Sequence, residues 1–249
     1  MSKPVVLITG ALTGIGRATA IAFANEGNRI VVSGRHDDKG QALAAELQGL
    51  GAEAEFVRAD VRHEADVRSL VEKTVERFGR LDVAVNNAGT EGALGPIVDQ
   101  STENYEAIFS VNVLGTLLSV KHELRAMQAQ GSGSIINLSS IAGQVGIGGA
   151  SVYAASKHAV EGITKSAALE GAASGVRVNA VAPGPVETQM FDRFVGNSDE
   201  IRAGFLSMVP AKRAATPEEI AQTIVFLASD KSRYLTGQRI AVDGAYTAQ

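Results

Sequence analysis

Short apolar runs rich in β-branched residues recur along the chain and alternate with longer stretches of helical pattern. The runs are 5–9, 30–33, 54–57, 83–85, 134–138, 176–182 and 240–242, and the helix-like stretches are 16–26, 39–50, 64–78, 102–127, 152–173 and 217–227. The runs lack polar/apolar alternation, so each strand is expected to be buried on both faces, with helices forming right-handed crossovers between parallel neighbours. The expected fold is α/β, a doubly wound parallel sheet of about seven strands of the Rossmann type with helices on both faces. No repeat, low-complexity tract or linker divides the chain. Residues 1–249 are expected to form one nucleotide-binding domain that includes a substrate lid around 185–212. The stretch 102–127 is long enough to bend.

Ligands of such sheets lie beyond the carboxyl ends of the strands, so the residues just after each run are the first candidates for chemistry. After the first run comes Thr9-Gly10-Ala11-Leu12-Thr13-Gly14-Ile15-Gly16. Glycines where a strand turns into a helix permit a tight turn and let backbone N–H groups approach a pyrophosphate. A tight turn with close helix packing would need the same glycines, but the strand before and the helix after favour nucleotide binding. After the second run come Gly34 and Arg35. A carboxylate here would take the ribose hydroxyls of NAD, whereas an arginine accommodates the extra phosphate of NADP. Arg35 therefore leans the cofactor towards NADP, with NAD the alternative, and nearby Asp37 and Asp38 pull the other way. After the third run, Asp60-Val61 offers a carboxylate for an adenine amino group or a cap for the next helix. After the fourth, Asn86-Asn87-Ala88-Gly89 suits a tight passage beside a flat ligand, and Asn87 serves equally well as a clamp between strands.

Ser140 follows the fifth run, and Tyr153 and Lys157 stand four apart near the start of a helix, so both fall on one face. A phenol has a pKa of about 10, and a neighbouring ammonium lowers it towards working pH. Ser140 is placed to hydrogen-bond the oxygen that gains or loses the proton. Alone, the Tyr-Lys pair would read better as an amphipathic pair on a surface helix. Asn112 lies inside an apolar helical pattern, where a buried amide must find partners. It is either a satisfied structural residue or the holder of a relay water. After the sixth run come Pro183-Gly184-Pro185-Val186-Glu187-Thr188, where Thr188 can bond a ligand amide or cap a short helix. Met190, Phe191, Phe194 and Val195 follow at helical spacing, as core or as a lid over an apolar substrate.

Composition narrows the field of functions. With no cysteine, thiolate metal sites, disulfides and catalytic thiols are excluded. His36, His63, His122 and His158 show no metal-ligand spacing, so no metal is assigned. The formal net charge is −4 without any basic block, so neither nucleic acid nor a membrane is an expected partner. No signal-peptide pattern precedes the first run, and a cytoplasmic location is expected.

Together these residues resemble the short-chain dehydrogenase/reductase family over 5–244. The motifs carrying the resemblance are Thr9-Gly10-x-x-x-Gly14-Ile15-Gly16, Asp60, Asn86-Asn87-Ala88-Gly89, Asn112, Ser140, Tyr153-x-x-x-Lys157 and Pro183-Gly184. The resemblance implies that Tyr153 is the general acid/base and that Lys157 holds the nicotinamide ribose and lowers the tyrosine pKa. It also implies that Ser140 orients the substrate oxygen, that Asn112 positions a relay water, and that Val186 and Thr188 meet the carboxamide. The chain departs from the family pattern at Thr13, where NADP-preferring members often carry a basic residue. The family further implies a homo-oligomer, usually a tetramer. The small residues Ala154, Ala155, Ala159, Gly162, Ala167 and Ala168 would allow close helix approach, within the chain or between chains.

The expected activity is hydride transfer between a nicotinamide cofactor and a small ketone or secondary alcohol. A non-catalytic dinucleotide-binding regulator on the same fold is the alternative, and a sugar-nucleotide epimerase is disfavoured because the chain ends at Gln249. Glu91, Gln144, Val145, Ile147, Val186, Met190 and Phe191 are expected to line the substrate pocket, with Glu91 and Gln144 as polar handles.

Overall fold

The computed structural model describes residues 3–196 and 198–248. In chain order the main elements are β1 (Val5–Thr9), α1 (Gly14–Asn25), β2 (Arg29–Gly34), α2 (Asp37–Gly49), β3 (Glu53–Arg58), α3 (Glu64–Phe78) and β4 (Val83–Asn86). They continue as α4 (Thr102–Phe109), α5 (Gly115–Gln130), β5 (Gly133–Leu138), α6 (Ser151–Gly171), β6 (Val176–Pro183), α7 (Gln189–Phe194), α8 (Asp199–Ser207), α9 (Pro217–Ala228) and β7 (Arg239–Val242). The strands form one parallel sheet in the order β3-β2-β1-β4-β5-β6-β7. The chain builds outward from β1 to β3 and then returns to lay β4 on the other side of β1. The carboxyl ends of β1 and β4 therefore flank the crevice where the winding reverses, which is where this kind of sheet takes ligands.

Burial on both faces explains the unbroken apolar runs. Val6 and Ile8 point to the side covered by α1, α2 and α9, where they meet Phe23, Leu47 and Ile224. Leu7, between them, points to the side covered by α3, α5 and α6, with Leu70, Leu124 and Ala167. Successive residues of a strand face opposite ways, so both sets must be apolar, and each fully buried Leu or Ile is worth about 1.5–3 kcal/mol. The edge strand β7 is only partly covered, and Ala241 is exposed.

The expected bend in 102–127 is a π-helical turn at Ser110–Leu114 between α4 and α5. The helix starts carry their own signals. Ser101 caps α4 by accepting from Asn104 N, and Thr216 with Glu219 forms a capping box ahead of Pro217 in α9. The small residues of α6 divide: Ala154, Ala167 and Ala168 are buried, whereas Ala155 and Gly162 are exposed. Among the described residues, no helix is long and apolar enough to cross a membrane.

Candidate active site

The turn from β1 into α1 is built by bare glycines. Gly10 and Gly14 have φ of +62° and +55°, the left-handed region. A Cβ on Gly10 would come within 2.7 Å of Ala88 Cα, and one on Gly16 within 2.5 Å of Asn87 Nδ2. Thr13 stands at the N-cap of α1 in extended conformation without a side-chain cap, so the first N–H groups of α1 face outward beside Ile15. A Cβ on Gly14 would lie 3.1 Å from Thr188 Cγ2. The groove between α1 and Thr188 exists because that position is bare, and its uncapped N–H groups suit a pyrophosphate. The residues present thus fit a dinucleotide.

Asn87 acts as the clamp: its Nδ2 donates to Gly10 O at 2.8 Å and Thr9 O at 3.3 Å. It also lines the cleft, together with Gly89. Arg35 is exposed beyond β2, and no partner binds its guanidinium among the described residues. Asp60 is committed to Arg62, whose Nε lies 3.0 Å from Oδ1 and whose backbone N–H donates to the same oxygen at 3.1 Å. That guanidinium holds the Asp60 carboxyl down at about 2. The expected capping role is not realised: His63 is the N-cap residue of α3, and Asp66 accepts the Asp60 N–H instead. Val61 packs with Val67 and Leu118 in a small core cluster that Ala88 joins.

Ser140, Tyr153 and Lys157 converge at the bottom of one cleft. Ser140 caps the short turn Ile141–Gly143 through Ala142 N at 3.1 Å, which fixes its hydroxyl just beyond β5. Lys157 is buried, donates to Leu138 O at 2.8 Å, and sits 5.7 Å from the Tyr153 ring centroid. That bond uses one of the three donors of the ammonium.

The expectation that Lys157 lowers the phenol is not met in the protein by itself. Burial pushes Tyr153 up to about 12, the Ser140 hydrogen bond pulls it down, and the Glu91 charge adds a further upward push. Burial also lowers Lys157 to about 8, so its charge is itself disfavoured there.

Asn112 lies in the π-helical turn with both amide hydrogens engaged and one of the two lone pairs of Oδ1 taken. Thr90 N donates to Oδ1 at 2.8 Å, and Nδ2 donates to Thr90 O at 2.9 Å and Ser156 Oγ at 3.0 Å. A Cβ on Gly89 would lie 3.4 Å from Asn112 Oδ1 and 3.6 Å from Lys157 Nζ, so the two side chains flank one glycine.

At the end of β6 and just beyond it, Pro183, Gly184, Pro185 and Val186 line the cleft. Gly184 packs so tightly on β7 that a Cβ would meet Asp243 Cα at 2.9 Å. Thr188 caps α7 by accepting from Phe191 N at 3.3 Å and donates to Val186 O at 3.2 Å. Its expected capping role is therefore present, and its methyl borders the cofactor groove.

Of the expected substrate pocket, Ile147, Val186, Met190 and Phe191 line the cleft. Three residues depart from the expectation. Glu91 is buried, but its carboxylate is turned to Arg193, with Nε–Oε1 at 2.6 Å and Nη2–Oε2 at 3.2 Å. It is a paired charge and not an open handle. Gln144 is exposed and Val145 half-buried, both outside the cleft lining, because the turn after Ile141–Gly143 carries them away. Conversely, Ile141 and Phe205 line the cleft and were not anticipated. Phe205 reaches it from α8, with its ring 5.8 Å from those of both Phe191 and Phe194. Its signal was the apolar spacing of Ile201, Phe205 and Met208 within 199–208.

Comparison with known proteins agrees with this arrangement. Residues 10–247 match the family model described as enoyl-(acyl carrier protein) reductase. The chain is 39% identical over 248 residues to cyclohexanol dehydrogenase of Acinetobacter sp. (strain SE19), covering all of this chain and 96% of that one. It superimposes on the crystal structure of levodione reductase with a TM-score of 0.96 at 36% identity, covering 98% of each chain. The structure of ElxO with NADP bound gives a TM-score of 0.94 at 34% identity, covering both chains completely. Matched along its whole length to relatives of this kind, the chain belongs to the short-chain dehydrogenase/reductase family, oxidoreductases acting on CH–OH and C=O groups.

Proposed function

We propose that the protein interconverts an uncharged, medium-sized alicyclic ketone and its secondary alcohol, using NADP(H). The convergence of Ser140, Tyr153 and Lys157 on an apolar cleft beside the β1/β4 crevice carries this reading. Bound nicotinamide supplies or accepts a hydride at the carbonyl carbon. For reduction, Tyr153 gives its phenolic proton to the carbonyl oxygen, and Ser140 hydrogen-bonds that oxygen as charge develops on it. Lys157 holds the nicotinamide ribose with the donors that Leu138 leaves free. Asn112, across Gly89 from Lys157, orders the water through which Tyr153 regains its proton. Gly10, Thr13, Gly14, Ile15 and Gly16 receive the pyrophosphate, Asp60 and Val61 border the adenine, and Asn87, Ala88, Gly89, Pro183, Gly184, Val186 and Thr188 border the nicotinamide half. Nothing favours the non-catalytic regulator: a sensor has no use for a Ser-Tyr-Lys set gathered in one cleft.

The NADP preference rests on Arg35. Asp37, one of the two acids that argued against it, lies 3.9 Å from Arg58 Nε, so its charge is partly answered there, and no hydrogen bond or ion pair holds the Arg35 guanidinium among the described residues. The NADP-bound relative supports the same preference. The substrate class rests on the lining: Ile141, Ile147, Met190, Phe191, Phe194 and Phe205 surround the space around the Tyr153 hydroxyl. Such walls welcome a saturated ring and repel a polyanion, and the cyclohexanol-oxidising relative supports a ring substrate. In this reading α7 and α8, within 185–212, are the lid. The exposed Tyr105, Leu114 and Leu117 of the α4–α5 region and Leu169 of α6 support a homotetramer. The proposed setting is the cytoplasm, where both forms of the cofactor are available.

The test is titration with NADPH and NADH, followed by turnover at 340 nm on a panel beginning with cyclohexanone. Arg35→Ala should weaken NADPH binding roughly ten- to a hundred-fold, the loss of a charge-assisted hydrogen bond, and leave NADH unchanged. Preference for NADH would overturn the cofactor assignment alone. Binding without turnover of any ketone or alcohol would overturn the proposed reaction.

A further inference from the structure

We propose that the Glu91–Arg193 ion pair is a latch that holds the lid helix α7 against the body of the protein, and so sets how tightly the cleft grips its ketone. The inference rests on the lid reading above. Glu91 belongs to the loop after β4 and is only 5% exposed. A glutamate is rarely buried so deeply unless it is paired. Its partner comes from an element 102 residues further along the chain. The two-pronged contact, Nε to Oε1 and Nη2 to Oε2, is the geometry that gives an arginine–carboxylate pair both strength and direction.

The body side of the latch is rigid. Thr90, next to Glu91, has both backbone groups bonded to Asn112. Ala93, two residues on, has both of its backbone groups bonded to the Asn104 side chain. Between them Gly92 sits at φ +66°, with no room for a Cβ beside Ile108. The lid side is the opposite. The other side-chain hydrogen bonds of α7 and α8 described here stay within 185–212: Arg202 to Glu187 and Asp192, and Lys212 to Ser207 O. Backbone hydrogen bonds anchor the two ends of the lid segment, Glu187 N to Ala215 O at 2.9 Å and Ala211 N to Gly244 O at 3.1 Å, and between them α7 and α8 rest on apolar contacts such as the stacking of Phe205 on Tyr246 at 6.3 Å. Arg193 lies between Phe191 and Phe194, both of which line the cleft, so freeing it frees the wall the substrate touches. Its side chain is 57% exposed, which lets the pair open and reclose. Glu91 also lies close enough to Tyr153 for its charge to bear on the phenol, so the latch closes beside the reacting groups.

Hydrogen exchange of the full chain, followed by mass spectrometry, tests the latch without requiring turnover. Arg193→Ala should speed exchange over 189–207 by about ten-fold, the effect of removing one partner of a charge-assisted pair, and leave the sheet unchanged. Glu91→Gln should act on the same segment, and the double variant should open it no further than Arg193→Ala does, because the two residues act as one unit. With cyclohexanone and NADPH, Arg193→Ala should raise the ketone KM with little change in kcat and none in NADPH affinity. Wild-type exchange rates over 189–207, or additive effects in the double variant, would overturn the latch. An unchanged KM would overturn its grip on the substrate. If the wild-type protein turned over no ketone, the proposed reaction would fall while the exchange result still decided the latch.

Discussion

The Tyr153 hydroxyl, raised to about 12 by burial, keeps its proton throughout neutral pH. That state is the one needed to protonate the oxygen of a ketone being reduced, whereas alcohol oxidation needs the phenolate. Reduction should therefore hold steady through neutral pH and fall as pH rises towards the phenol pKa, while oxidation should climb over the same rise. Tyr153→Phe should abolish both limbs and lower turnover by roughly 10²- to 10⁴-fold, the usual share of a positioned proton donor, with NADPH binding intact. Near-wild-type rates at 340 nm in a folded variant would remove Tyr153 from the mechanism. These residues were legible in the sequence because their relation is local: Tyr153 and Lys157 share a helix face, and Ser140 follows directly on a strand end. Glu91 was misread as an open handle because nothing near it in sequence foretells Arg193. The net direction of the Tyr153 shift was misread because desolvation depends on everything packed around the ring.

Between the elements, α5 contributes a group that no local pattern explains. Glu123 is buried under the carboxyl end of the sheet, where Asn86 Nδ2 donates to it at 2.9 Å and to Asn137 Oδ1 at 2.9 Å. Asn137 in turn donates to Thr164 of α6, so one polar chain ties β4, β5, α5 and α6 together just behind the cleft. Burial raises the Glu123 carboxyl from 4.5 to about 7. Between those values the folded chain keeps a proton that the unfolded chain releases. This group's contribution to stability is therefore fullest below 4.5 and declines as pH rises through about 7. Glu123→Gln retains an acceptor for Asn86 without the charge, and its added N–H₂ offers a donor near Asn86 Oδ1, which is buried without a partner. The substitution should raise stability at pH 8 by about 3 kcal/mol and change it little at pH 4, as read from urea unfolding at the two pH values. Equal effects at both would show that Glu123 is not carrying a buried charge. The π-helical turn between α4 and α5 is another inter-element outcome. Its position follows from where Asn112 must reach Thr90 and Ser156, not from helix propensity.

For the whole molecule, apolar side chains remain exposed in separate regions, with Leu169 at 83% and Tyr234 fully exposed. A tetramer should therefore appear in light scattering at micromolar concentration, and Leu169→Glu should weaken or split it while the monomer fold persists. A monomeric wild type would overturn the proposed assembly. The sequence by itself determined the layered α/β architecture, because apolar runs without alternation can only be buried on both faces. It also determined the glycine turn after β1 and the spacing of Ser140, Tyr153 and Lys157, since each depends on residues adjacent on one strand or helix. Only the tertiary structure decided that Asp60 binds Arg62, that Asn87 clamps the β1 turn, that Glu91 is answered by Arg193, and that Phe205 closes the cleft. Those pairings join segments brought together by the fold or choose among partners that local sequence allows equally. The physical reason is the same in each: a buried polar group takes whichever partner packing delivers to it, and packing is a property of the whole chain.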